Sequence, residues 1–275
     1  TLLRNRQSID EIAFRPRVLN DVSSIDTSTE FLGRKQTLPI VLGPIGSAEQ
    51  LDPEGMLPAA KAAADFGVGI FKSSVAVPDI EEAAEKSGAQ LIFQLYVRGD
   101  EDWINEHVDR VEAAGYAGFC LTVDTAIYGR RERDKVKAFT PTQRSHVSGV
   151  NYQRALNWGV VERLRKKTDL PLVLKGIATA EDAKIAAEHG VDVIYISNHG
   201  GRQLDTAISP LGVIEASARD KGKMMILFDS GIRRGTDVVK ALALGADFVF
   251  AGRPFLFSVA TAGYSGVSHA VDLLA

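Results

Sequence analysis

The chain has 275 residues, 45% hydrophobic and 24% charged, with a formal net charge of −3, which is ordinary for a globular protein with a substantial core. The mild acidity, with no basic run beyond Arg130-Arg131-Glu132-Arg133, argues against a nucleic-acid surface. The single cysteine, Cys120, excludes an internal disulfide and any cysteine-based metal centre, and no apolar run approaches the roughly 20 residues of a membrane span.

In chain order, residues 1–37 read as an irregular lead-in with a short hairpin. There is no signal peptide at Thr1, but Thr1 is not a start methionine and Leu273-Leu274-Ala275 reads as a helix cut short, so the sequence is expected to be part of a longer chain. From residue 39 a rhythm begins. Short apolar runs at 39–42, 68–71, 91–96, 118–123, 171–175, 193–197, 224–228 and 248–251 read as strands. Helical segments separate them at 56–66, 78–87, 102–114, 160–167, 180–189, 210–218 and 236–244, and a long polar passage fills 124–157. Cys120 sits in the apolar run Phe119-Cys120-Leu121 and reads as a small buried hydrophobe. Gly115, Gly190 and Gly245 follow helical segments as stop signals.

Strands with near-continuous apolar character are those of a parallel sheet. Eight of them joined by helical crossovers without a domain break predict one α/β domain over 1–275, a (β/α)₈ TIM barrel. An open doubly wound sheet is the alternative with the same local signals.

The strand that begins at Val193 ends in Ser197-Asn198-His199-Gly200-Gly201-Arg202-Gln203-Leu204-Asp205. A turn needs glycine or asparagine; it does not need an imidazole and a guanidinium three residues apart. The imidazole takes a proton near neutral pH, and the guanidinium grips a carboxylate with two parallel hydrogen bonds. A base beside a carboxylate clamp suggests proton abstraction from an acid substrate. The bland reading is a capping histidine and a solvated arginine, but the other strand ends carry similar groups: Gly43-Pro44-Ile45-Gly46, Ser73, Gln94 with Tyr96, Thr122 with Asp124, Lys175, Asp229 and Gly252-Arg253. Reactive groups of such barrels gather at the carboxyl ends of the strands. The last two ends, with Gly231, Arg233 and Arg253, offer amides and cations where these barrels hold phosphate. No Gly-x-Gly-x-x-Gly follows the first strand, so a Rossmann dinucleotide site is unsupported.

The Ser197–Asp205 run, with Leu174-Lys175-Gly176 before it and Asp229-Ser230-Gly231-Ile232-Arg233-Arg234-Gly235 after it, resembles the FMN-dependent L-2-hydroxy acid oxidases and dehydrogenases over nearly the whole chain. The resemblance implies that His199 is the base and that Asp124 stabilises its imidazolium. Arg202 and Arg131 hold the substrate carboxylate, and Tyr96 hydrogen-bonds the substrate. Lys175 stabilises negative charge on reduced flavin. Pro44, Ile45, Gly46, Ser73, Gln94, Thr122 and Ser197 lie about the flavin. Asp229, Gly231, Arg233, Gly252 and Arg253 lie toward its phosphate side. No metal is implied. The implied partners are a small 2-hydroxy acid and an oxygen or quinone acceptor, in a cytoplasmic homotetramer, with contact at the inner face of a membrane left open.

The chain departs from that pattern. The family's N-terminal helix with its substrate tyrosine and its final helices are expected to be missing, and the loop after the fourth strand is either shortened or not fully included in this sequence. Gly46 stands where many oxidases have alanine, as in mandelate dehydrogenase, and Arg130–Asp134 and Ala207–Pro210 are similar to that enzyme. An FMN isomerase or a silent binding barrel are the alternatives; neither accounts for two arginines placed for a carboxylate.

Overall fold

The computed structural model describes residues 1–139 and 151–275. Its centre is a closed barrel of eight parallel strands. A hairpin, β1 (Thr29–Phe31) and β2 (Arg34–Gln36), precedes the barrel. The barrel strands are β3 (Ile40–Leu42), β4 (Ile70–Ser73), β5 (Leu91–Leu95), β6 (Phe119–Thr122), β7 (Leu172–Ile177), β8 (Val193–Ile196), β9 (Met225–Phe228) and β10 (Phe248–Ala251). Each pairs with its sequence neighbour, and β10 closes the ring on β3 through Val249–Ile40, Phe250–Val41 and Ala251–Leu42. The eight strands expected from sequence are all present with ends within two residues of those expected, and closure excludes the open sheet.

The helices are α1 (Leu2–Asp10), α2 (Leu57–Phe66), α3 (Ile80–Ser87), α4 (Glu101–Ala113), α5 (Glu132–Val136), α6 (Trp158–Lys167), α7 (Ala180–Glu188), α8 (Leu211–Asp220), α9 (Gly235–Ala243) and α10 (Arg253–Leu274). Their starts are fixed locally. Asp79, Asp100, Asn157 and Thr179 accept hydrogen bonds from first-turn amides of α3, α4, α6 and α7. Glycines stop several of them with positive φ: Gly67 after α2, Gly88 after α3, and the expected Gly115, Gly190 and Gly245.

Three sequence expectations need correction. The lead-in contains the hairpin but also α1, whose nine residues are mostly polar; it is held by polar contacts made across the fold. The end of the chain carries a long kinked helix, α10, packed on α2, where only a truncated end was expected. The polar passage after β6 contains α5 and a short 3₁₀ turn, Tyr152–Ala155; the shortened loop expected there falls largely on residues 140–150, outside the described residues. Among the described residues no helix is long and apolar enough to cross a membrane.

Apolar side chains divide into two sets. One lies between the strands and the helical shell. The other fills the barrel: Val41, Phe71, Ile92, Cys120, Val173, Val193, Tyr195, Leu227, Phe248 and Phe250, with Phe31 of the hairpin packed against Phe248 at 4.8 Å. Cys120 is buried there, as its sequence context implied. A strand alternates its faces with period two. Counting two further along each interior column reaches Gly43, Ser73, Gln94, Thr122, Lys175, Ser197, Asp229 and Gly252. At the carboxyl end of every strand the interior column therefore changes from apolar to polar or glycine, and the apolar layers below make a dry floor beneath that rim.

Candidate active site

Two further steps along β5 and β6 bring Tyr96 and Asp124 above the rim. They meet His199, which leaves β8 in a short 3₁₀ turn, His199–Gly201. His199 Nδ1 lies 3.1 Å from both carboxylate oxygens of Asp124. A carboxylate accepts only, so Nδ1 carries the hydrogen and the Nε2 lone pair is left. Tyr96 Oη donates to that Nε2 at 3.2 Å. Gly176, with φ of 110°, permits this closeness, because a Cβ there would lie 2.5 Å from Asp124 Cβ.

Lys175 is buried, its Nζ 5.0 Å from the Tyr195 ring centroid. Burial works to lower its pKa, but the charges of Asp124 and Asp229 outweigh it and the net direction is upward, so the ammonium persists. Burial opposes ionisation of Asp124 as well; Lys175 and His199 reverse that and hold the carboxyl below its usual range. For His199, burial and then the Lys175 charge lower the pKa against the raising effect of Asp124. The imidazole is thus kept neutral below the ordinary histidine range, the state a base requires. Burial pushes the Tyr96 phenol up to about 12, so it remains a donor.

The two arginines expected to hold a carboxylate, Arg131 and Arg202, are close enough to act on each other's charge. Gln203, after Arg202, donates to the carbonyls of Asp124 at 3.0 Å and Ile127 at 3.3 Å, tying the two arginine-bearing loops to each other. Arg131 lies over the Tyr128 ring at 4.3 Å, and its Nε is buried with no hydrogen-bond partner among the described residues. Burial, then the positive charge of Arg202, lower the Arg131 pKa. Arg202 acts in the same sense on Arg253, after burial. Like charges gathered around one loop are an anion site in waiting.

Around the rim, Ser73, Gln94, Thr122 and Ser197 are all buried. Gln94 Nε2 donates to Thr122 Oγ1 at 2.8 Å, while Gln94 Oε1 is buried with no partner among the described residues. Pro44 and Ile45 are half-buried and Gly46 exposed at the end of β3. Gly252 begins α10 with open space where a Cβ would point, and Arg253 donates to the carbonyl of Gly200 at 3.1 Å. Arg233 is exposed and its amide donates to Asp237. Two expected groups are otherwise engaged. Asp229 accepts from Tyr195 Oη at 2.9 Å and from Ser230 Oγ at 2.7 Å. Gly231 faces α1, where a Cβ would meet Ile9 and Asn5 at 3.0 and 3.1 Å.

Comparison with known proteins places this geometry. The family model for FMN-dependent dehydrogenases matches residues 1–151 and 141–275. The chain belongs to the FMN-dependent dehydrogenase family. An L-lactate oxidase of Nostoc sp. is 41% identical over 302 residues, covering 100% of this chain and 83% of its own length. The glycolate oxidase of Spinacia oleracea is 38% identical over 297 residues, covering 100% and 80%. Among solved structures, a mandelate oxidase complex superimposes with a TM-score of 0.92 at 38% identity over 99% of this chain and 82% of that one. A soluble mutant of the membrane-associated (S)-mandelate dehydrogenase from Pseudomonas putida gives 0.91 at 36% identity, over 99% and 83%. As a member of this family, the protein is an FMN-dependent oxidoreductase of the 2-hydroxy acid oxidase and dehydrogenase type, acting on CH–OH donors.

The rim fits FMN on its own terms. Gln94 Oε1, buried and without a partner among the described residues, is an acceptor that suits a donor such as a flavin ring N–H. The buried Lys175 ammonium suits an electron-rich ring edge. The α10 amides beside Gly252, with Arg253, suit a phosphate. Sequence reasoning missed the residues that support the first layer: Asn5, Gln153, Tyr195 and Ser230. Gln153 is buried, accepts from Val97 N at 2.8 Å and donates to the Thr122 carbonyl at 2.5 Å, joining the strand ends that carry Tyr96 and Asp124. Tyr195 had a signal, the period-two column that puts it directly below Ser197, and Ser230 lay within the Asp229–Gly235 run without a role assigned to it.

Proposed function

We propose that the protein oxidises a small L-2-hydroxy acid to the 2-oxo acid, passing the electrons to oxygen or a quinone-type acceptor. Bound FMN supplies the two-electron chemistry. Gln94, Thr122, Ser73, Ser197 and the Pro44-Ile45-Gly46 segment hold its ring, and Arg233, Gly252 and Arg253 hold its phosphate end.

Arg131 and Arg202 take the substrate carboxylate, which relieves their mutual repulsion and gives the buried Arg131 Nε an acceptor. Fixing the carboxylate fixes the α-carbon, the positioning part of the rate enhancement. Tyr96 donates a hydrogen bond to the substrate from its place beside His199 Nε2. That Nε2 lone pair takes the substrate's proton during oxidation of the α-carbon. The Asp124 carboxylate, held against Nδ1, stabilises the imidazolium that forms. Lys175 keeps a positive charge in the rim above the apolar floor, where it would stabilise an electron-rich edge of the cofactor.

The observation that carries this reading is the Asp124–His199–Tyr96 line, whose base nitrogen, Nε2, is held by a tyrosine that Arg131, itself beside Arg202, also neighbours and that substrate would displace. The names of the relatives, oxidases or dehydrogenases of lactate, glycolate and mandelate, support a 2-hydroxy acid. The same proposal makes the protein a homotetramer acting in the cytoplasm or at the inner face of a membrane; sedimentation and cell fractionation check both. The test of activity is anaerobic mixing with a panel of L- and D-2-hydroxy acids while flavin absorbance is followed. Bleaching by L-acids in the wild type, lost in His199→Gln with FMN retained, supports the assignment; bleaching that survives in His199→Gln refutes it. Oxygen uptake against dye reduction then identifies the acceptor.

A further inference from the structure

Ser230, which follows Asp229, is buried and has φ of 88°. That backbone region is open to glycine and strained for residues with a Cβ. A glycine would keep this turn without strain, so the serine is explained by its hydroxyl. Ser230 Oγ donates to Asp229 Oδ1 at 2.7 Å and accepts from Gly200 N at 3.2 Å and Asn198 N at 3.4 Å. One hydroxyl has one proton and two acceptor positions; all three are in use. The two amides it holds flank His199, which itself has φ of 59°. The amide between them, His199 N, donates to Ser197 Oγ at 3.0 Å. Three successive amides around His199 are therefore fixed by two buried hydroxyls.

We propose that Ser230 is a positioning residue, clamping the backbone on both sides of His199 so that the imidazole stays between Asp124 and the substrate. The inference rests on the reading of His199 as the base. The groups that face His199 are Asp124 after β6, Lys175 on β7, Tyr96 after β5 and Asp229 after β9. Loosening the clamp weakens the Asp124 contact first, because that pair spans two loops. Asp124 raises the His199 pKa, so a weaker contact lets the imidazole stay neutral to lower pH while holding it less accurately.

The test is Ser230→Gly in FMN-saturated protein, followed by anaerobic flavin reduction with an L-2-hydroxy acid between pH 4.5 and 8, roughly bracketing the histidine range. Glycine suits the φ, so the variant folds with an unchanged or higher thermal midpoint. The expected result is a reduction rate lower by about 10- to 100-fold, the scale of a small misplacement of a reacting group, with the acid limb of the profile moved to lower pH. Ser230→Ala, which keeps the strain without the hydroxyl, should show the same kinetic loss. A wild-type rate, or a lowered rate with an unmoved acid limb, overturns the proposal. His199→Gln run alongside separates the two ideas: if that variant still reduces flavin, the base assignment has failed; if it does not and Ser230→Gly behaves as wild type, only the clamp has failed.

Discussion

Asn5 and Asn198 face each other as a reciprocal amide pair, each Nδ2 donating to the other's Oδ1, at 2.8 and 2.7 Å. Both are buried, and Asn198 Oδ1 also accepts from Gly201 N at 2.9 Å. At the next residue of α1, Arg6 donates to Asp237 at 2.6 and 2.9 Å, and Asp237 accepts the amides of Arg233 and Arg234. The first helix thus braces both the histidine loop and the turn before α9. Asn5→Ala removes two hydrogen bonds from the buried Asn198 amide, leaving it only Gly201 N and the Ile208 carbonyl. The expected cost is about 1–3 kcal/mol of stability, read from urea midpoints. A double-mutant cycle with Asn198→Ala should show a non-zero coupling; additive losses would mean the pair contributes nothing of its own.

The electrostatics of His199 predict two shifts of opposite sign. Its folded pKa is lowered by burial and by Lys175, and raised by Asp124. The neutral form is the base, so the reduction rate falls as pH drops through that lowered pKa. Lys175→Met removes a lowering influence and should move the acid limb to higher pH. Asp124→Asn removes the raising influence and should move it lower, with a plateau rate reduced by about 10²-fold or more, as the imidazolium loses its partner. The profile of anaerobic flavin reduction measures both; shifts of one sign in the two variants would contradict the assignment. Stability follows the same linkage. A histidine with a lowered folded pKa binds protons more readily when unfolded, so its contribution is lost as pH falls below the ordinary histidine value.

Arg131 and Arg202 should divide the substrate's carboxylate between them. Arg202→Lys keeps the charge but loses the planar fork, and is expected to raise KM by about tenfold, or roughly 1.4 kcal/mol. Arg131→Met should do the same while leaving FMN content unchanged. Steady-state kinetics with flavin absorbance as a control check this. An unaltered KM in both variants would place the carboxylate elsewhere.

Gly46 packs against Val75, and a Cβ built on Gly46 would lie 2.5 Å from Val75 Cγ2. Gly46→Ala therefore requires Val75 to move, at about 1–3 kcal/mol. Val75→Ala in the same chain should restore most of that loss, measured by thermal or urea unfolding. Strict additivity would show that the two side chains do not compete for one space.

Much of this molecule could be read from the chain alone. Apolar runs separated by helical segments determined the eight strands, because a strand buried on both faces must be apolar nearly throughout. The polar residues at the run ends were readable for the same reason: Lys175 or Gln94 beside an apolar run needs an explanation. The motif around His199 and Arg202, with its flanks, identified the family. α1 was not readable, since its docking depends on Asn5 and Arg6 reaching partners far along the chain, and no local periodicity reports that.

Tertiary structure alone decided which polar groups meet. His199 and Asp124 are 75 positions apart and touch only because closing the ring brings the ends of β6 and β8 to one mouth, with β7 between them. It also decided that Asp229 is engaged by Tyr195 and Ser230, and that Gln153 joins two strand ends. The physical reason is that local sequence sets the period and the burial of each strand, whereas the closure and register of the barrel set which side chains share an end of it.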